Sequence, residues 1–195
     1  VTLNEIFKGL FILEQEENIV DILKRDCAEY IQILHQTNMQ PLYRGMKTMP
    51  AMENGMGVIS PRVDRRPLDT SKIIHGVLNK RFTEKFGYPF RNAIFATCGS
   101  VAASEYGTSY VIFPIGELHF LWSDVVEDLY SDYFDYFDDD ELTDIKRINE
   151  AIDEFIGYYQ TTDLAAAMFS GHEVMIANKC YALTVGQYMQ IKNQL

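Results

Sequence analysis

The stretch from Arg91 to Phe113 constrains this chain more than any other. Arg91-Asn92-Ala93-Ile94-Phe95-Ala96-Thr97 reads as a buried strand, and Cys98-Gly99 as a tight turn. Ser100 to Tyr106 then reads as a two-turn helix, with Ser100 placed to cap its start and Gly107 to end it. A second apolar strand, Ser109 to Phe113, follows at once. The small Ala102 and Ala103 let the helix lie close to its neighbours, and Thr97 and Tyr106 are expected at the rim of a cleft.

A core large enough to bury such strands is available. The chain has 195 residues, 47% of them hydrophobic, which fits one domain and excludes a disordered protein. No apolar run approaches the roughly 20 residues of a membrane span. No basic-then-apolar segment reads as a signal peptide. Cys27, Cys98 and Cys180 lie far apart with no CxxC spacing, which argues against a disulfide scaffold and a structural zinc site, and for a reducing cytoplasm. Cys98 reads either as a reactive thiol beside the cleft or as a small turn residue.

The net charge of −11 is unevenly distributed. Residues 124–154 hold thirteen acids and two bases, which accounts for the whole imbalance. Arg62 to Arg91 holds eight bases against Asp64, Asp69 and Glu84. The chain is therefore bipolar, and a local cationic face suits phosphates despite the sign of the total.

Residues 3–37 read as helical, with Ile19, Ile22, Leu23, Cys27, Tyr30, Ile31 and Leu34 at helical spacing. Leu42-Tyr43-Arg44 reads as a short strand ending at Gly45. Lys47 to Pro67, rich in Met, Gly and Pro, reads as a long loop. Asp69 or Thr70 is expected to cap a helix over Ser71 to Phe86 with Ile74, Val77, Leu78 and Phe82 buried. Pro114-Ile115-Gly116 reads as a turn and Leu118 to Trp122 as a strand. A helix is expected from Glu141 to Tyr159, starting near Thr143 or Asp144. Glu173 to Ile176 and Tyr181 to Val185 read as strands joined by Asn178-Lys179. Scattered short strands around a few helices predict an α+β fold in a single domain over 1–195, with a helical region over 1–38 and a core over 41–185 that carries the acidic insert.

Few residues offer chemistry. Arg44 ends a strand and is followed by a residue without a side chain; arginine donates bidentate hydrogen bonds to a diphosphate and keeps its charge. Gly45 would let a ligand reach its N–H and C=O. The alternative is an ordinary strand-end arginine paired with a carboxylate. Glu173, at the mouth of an apolar strand, is either a solvated strand end or a carboxylate facing a ligand. His172 is its neighbour but would point to the opposite face. No His or Cys pair has metal-ligand spacing. P-loop, GxGxxG, GxSxG and HExxH signatures are absent from the sequence. Tyr130 to Asp140 has the charge spacing of a nucleic-acid mimic or of a solvated loop.

In order along the chain, Tyr43-Arg44-Gly45, Phe95-Ala96-Thr97, Ala103 to Tyr106, and Glu173 on a late strand resemble the ADP-ribosyltransferase superfamily. The texture of Arg66 to Trp122 also resembles proteins of tailed bacteriophages. The resemblance implies a split β-sheet core with an N-terminal helical region and flanking helices. It implies a glycosyltransferase that uses NAD as substrate, cleaves the nicotinamide–ribose bond and transfers ADP-ribose to a macromolecular acceptor. That acceptor would be a host protein, or a nucleic acid, in the host cytoplasm. In this reading Arg44 anchors the phosphates, Gly45 binds the carboxamide, Tyr106 stacks on nicotinamide, Thr97 orients Glu173, and Glu173 stabilises the transition state. Arg91 adds phosphate contacts or forms a structural ion pair. Gly171 stands where arginine-modifying members carry Glu or Gln, which points to another acceptor. Two other readings stay open: an acidic inhibitor occupying a nucleic-acid site, and an NAD-dependent RNA 2′-phosphotransferase.

Overall fold

The computed structural model describes residues 18–47, 52–53, 55–64, 71–129, 132 and 144–195. Among them, nine strands form two antiparallel sheets flanked by seven α-helices, so the chain is α+β.

The strands are β1 (Leu42–Met46), β2 (Met52–Glu53), β3 (Met56–Ile59), β4 (Ile94–Ala96), β5 (Thr108–Pro114), β6 (Phe120–Ser123), β7 (Tyr159–Gln160), β8 (Val174–Ile176) and β9 (Cys180–Thr184). The five-stranded sheet runs β1-β5-β9-β3-β2, and the four-stranded sheet β4-β8-β6-β7. The helices are α1 (Ile19–Asp26), α2 (Ala28–Gln36), α3 (Lys72–Phe86), α4 (Ser100–Ser104), α5 (Ile145–Phe155), α6 (Leu164–Ser170) and α7 (Val185–Ile191).

Alternation along the four-stranded sheet builds two cores. Ile94, Ala96, Phe120, Trp122, Val174 and Ile176 join a cluster with the five-stranded sheet, α1, α2 and α6. Leu121 and Met175, one residue out of phase, join a second cluster with Ile74, Leu78 and Phe82 of α3 and Ile148, Ile152 and Phe155 of α5. Every residue of β6 and β8 is buried, which is why Phe120 to Trp122 and Val174 to Ile176 read as continuous apolar runs.

Several expectations are corrected. The described part of the N-terminal helix breaks at Cys27, which leaves helical geometry (φ −124°, ψ 27°) and separates α1 from α2; residues 3–17 lie outside the described residues. The stretch read as a loop contains β2 and β3, which turn at Gly55 (φ +77°) and extend the larger sheet through β9. Asp69 and Thr70 lie outside the described residues, and Ser71 is the N-cap of α3, its hydroxyl accepting from the Ile74 N–H. Asp144 caps α5, but that helix stops at Phe155, and Tyr159 belongs to β7.

Helix α4 is a single short piece rather than two turns. Gly99 is its N-cap, no side chain caps it, and Ser100 is already helical. Gly107 bonds back to the Ser104 carbonyl, yet its φ of +131° is not the usual left-handed cap. A Cβ there would sit 2.5 Å from the Met46 carbonyl carbon, so close strand packing also demands glycine.

Candidate functional site

Among the described residues one backbone bridge links the edges of the two sheets. The N–H and C=O of Tyr43 in β1 both bond to Thr97, just beyond β4, at 2.7 and 3.0 Å. Tyr43 therefore turns its main-chain groups away from β5, with which β1 pairs in register. Gly45, two residues on, turns its N–H and C=O the same way, along the outer edge of β1 beyond the junction. Glycine is required there for a further reason: a Cβ would lie 1.8 Å from the Ala103 carbonyl oxygen of α4. The space expected for a ligand above the Gly45 Cα belongs to α4, while its peptide groups still face the edge.

Arg44 crosses the junction. Its guanidinium donates to the Phe95 carbonyl at 2.6 Å. Burial pulls its pKa down from the ordinary value, while neighbouring Cys180 and Glu173 act in the opposite direction. A guanidinium stays charged under such a load, so a half-buried cation sits at the seam.

Glu173 reaches the same seam from β8. Val174, the first residue of β8, pairs with Ala96, so Glu173 precedes β8 at the end where β4 leads into Thr97, within electrostatic reach of Arg44. Its N–H donates to the Glu127 carbonyl at 3.1 Å. Its carboxylate, 23% exposed, lies 3.9 Å from the Arg91 guanidinium. Three distant segments thus bring Arg44, Gly45, Thr97 and Glu173 to one junction.

The remaining candidates occupy its border. Tyr106 follows α4 beside Gly45, and its side chain is exposed. The Thr97 hydroxyl accepts from the Gly99 N–H at 3.3 Å, closing the turn into α4. Arg91 is buried, with its guanidinium over the Phe95 ring at 4.8 Å. His172 turns to β6, where Nδ1 lies 2.8 Å from the Ser123 carbonyl oxygen. Cys98 is half-buried beside the junction.

Sequence reading places Phe95 in a motif but gives it no role of its own; its carbonyl receives one arginine and its ring carries another. The alternation that buries Ile94 and Ala96 turns Phe95 to the opposite face, and that signal was present. A separate cavity of about 620 Å³, lined by Phe86, Tyr88, Phe90, His119 and Asn178 among others, contains none of the candidate residues.

The cationic stretch is largely paired. Arg62 contacts Asp64, Lys80 and Arg81 contact Glu84, Arg81 also reaches Asp153, and Lys85 donates to the Ile156 carbonyl; Arg65 and Arg66 lie outside the described residues. Of Tyr130 to Asp140 only Asp132 is described, and its carboxylate accepts from the N–H groups of Glu127 and Asp128. Among the described residues no group of three or more His, Cys, Asp or Glu could hold a metal ion, and no helix is long and apolar enough to cross a membrane.

The described residues define an α+β chain with a cation, a carboxylate and strand-edge peptide groups gathered where two antiparallel sheets meet. Comparison with protein-family models, with curated proteins and with solved structures found no match.

Proposed function

We propose that the chain is an NAD-dependent mono-ADP-ribosyltransferase with a split β-sheet core of that superfamily's type. One observation carries this reading: Arg44-Gly45, Thr97 and Glu173 come from separate segments yet meet at the junction of β1, β4 and β8. The residue types, their order along the chain and their nearness at one seam support the reading.

The chemistry follows from the residues. Arg44 offers the diphosphate a fixed positive charge. The outward N–H and C=O of Gly45 match the two hydrogen-bonding groups of a carboxamide. The exposed ring of Tyr106 provides a face on which nicotinamide stacks. The bond from nicotinamide nitrogen to the ribose anomeric carbon breaks with its electron pair going to nicotinamide, which leaves neutral. The sugar acquires oxocarbenium character, and the carboxylate of Glu173 stabilises it. A nucleophile on the acceptor then bonds to the anomeric carbon and loses its proton to solvent. Gly171 is exposed and bears no side chain with which to hold a guanidinium, so the proposed acceptor is a macromolecular group other than arginine, on a protein or a nucleic acid.

Labelled NAD tests this. Wild type should release nicotinamide and label a component of a cell extract. Glu173→Gln should slow both about a hundredfold or more, in line with removal of one transition-state charge partner. Absence of NAD binding and turnover in the wild type, with extract present, would overturn the reading.

A further inference from the structure

The sequence leaves Arg91 between a phosphate contact and an ion pair, and its surroundings favour a more specific role. It sits in the 3-10 turn Phe90–Asn92, whose main chain is pinned by α3. The Arg91 N–H donates to Asn79 Oδ1 at 2.9 Å. Asn79 Nδ2 donates to Asn92 Oδ1 at 3.1 Å, and His75 Nε2 lies 3.2 Å from that same oxygen. The Asn92 carbonyl accepts from the Arg62 N–H at 2.9 Å. The turn is thus fixed on both sides of Arg91 before its side chain begins.

The side chain is fixed as well. It is 9% exposed, its guanidinium lies over the Phe95 ring, and its Nη1 is 3.9 Å from Glu173 Oε1. So little exposed surface suits a diphosphate arriving from solvent poorly. The 3.9 Å separation is a charge contact rather than a hydrogen bond, so Arg91 draws the carboxylate by its field. Phe95 links the two cations, with Arg44 on its carbonyl and Arg91 on its ring.

We propose that Arg91 is a positioning residue that holds the Glu173 carboxylate at the junction, acting on ribose chemistry through Glu173 and not by binding phosphate. This rests on the transferase reading above. Arg44 is then the phosphate anchor, and α3 sets the angle of the carboxylate through Asn79 and the Phe90–Asn92 turn.

Steady-state NAD cleavage by Arg91→Gln and Arg91→Lys separates the roles. Positioning predicts that Arg91→Gln loses about a hundredfold in kcat with KM for NAD unchanged, since a displaced catalytic group costs turnover of that order. Arg91→Lys, which keeps the charge, should recover part of the loss. A raised KM with unchanged kcat would mean phosphate binding and would overturn the proposal, as would wild-type kinetics in Arg91→Gln. Should Arg91→Gln fail to fold, Arg91→Lys decides alone, because reduced kcat at constant KM supports positioning and the reverse pattern refutes it. If the wild type does not turn over NAD, the transferase reading fails by itself. The hold on Glu173 is then read from urea unfolding of Arg91→Lys, Glu173→Gln and the double variant: non-additive losses support it and additive losses refute it.

Discussion

The guanidinium of Arg44 donates to the main-chain carbonyl of Phe95 and so ties the edge of one sheet to the edge of the other. The two strands meet otherwise through the Tyr43–Thr97 pair, so this bond sets the angle at which β1 approaches β4. A hydrogen bond from a charged donor contributes about 1.5–3 kcal/mol when half-buried. Arg44→Met should therefore lower urea-unfolding stability by about 2 kcal/mol, besides abolishing NAD binding under the proposed function. A loss below about 0.5 kcal/mol, the level of an ordinary surface change, would mean that the bond does not hold the sheets.

Two glycines predict opposite signs for one substitution. Gly45→Ala drives a methyl into the Ala103 carbonyl, which is main chain and has no rotamer to escape by. It should cost about 3 kcal/mol or more and displace α4. A Cβ added at Gly76, inside α3, would meet nothing within 4 Å. Gly76→Ala should raise stability by about 1 kcal/mol, because alanine is the better helix former. Thermal unfolding of the two variants beside wild type reads both signs.

The parts legible in the sequence are those that a local pattern determines. The stripe Ile74, Leu78, Phe82 marks α3, and the apolar runs of β5 and β8 mark strands buried on both faces. β2 and β3 escape because Gly57 and a two-residue edge strand carry no period, and their hold on the sheet comes from β9, far along the chain. Helices α6 and α7 did carry signals, an Asp163 cap with Gly171 behind it and the Thr184–Gln187 capping box. At the site, residue types and order are visible in sequence, but Arg91 facing Glu173 depends on how a turn beside α3 meets β8. No local rule encodes that meeting.

Asp163 shows how one cap balances two terms. It adopts φ +57°, and its carboxylate accepts from the Ala166 N–H at 2.9 Å. Left-handed backbone costs an alanine about 1 kcal/mol or more, and loss of the cap costs about 1 kcal/mol. Asp163→Ala should thus destabilise by about 2 kcal/mol. Asp163→Gly sheds the strain along with the cap and should cost less. Equal losses in the two variants, measured by urea unfolding, would rule out strain at this position.

Alkaline instability should begin before the tyrosines of the unfolded chain finish titrating. Cys27 is fully buried with its thiol directed at the Phe113 carbonyl, and burial pushes its pKa up to about 12 from 9.0. Burial, then the neighbouring Tyr43, pushes Tyr188 up to about 12 from 10.0, and its hydroxyl donates to the Met39 carbonyl. Tyr181 also rises to about 12, through burial and then its hydrogen bond to Asp26. These groups keep their protons longer in the folded state than in the unfolded chain. Unfolding then releases protons, so stability falls with rising pH. Their contribution is complete below about pH 9 and is lost as pH climbs from 9 through 12. The urea midpoint should fall steadily across that window. Cys27→Ala should be less stable at neutral pH because of the cavity, yet its profile should be flatter in the lower part of the window, where the unfolded thiols of Cys27 and Cys180 ionise ahead of the tyrosines and only that of Cys180 is left. A midpoint that stays constant as pH rises from 9 towards 12, or a Cys27→Ala profile parallel to wild type, would show that these groups titrate alike in both states.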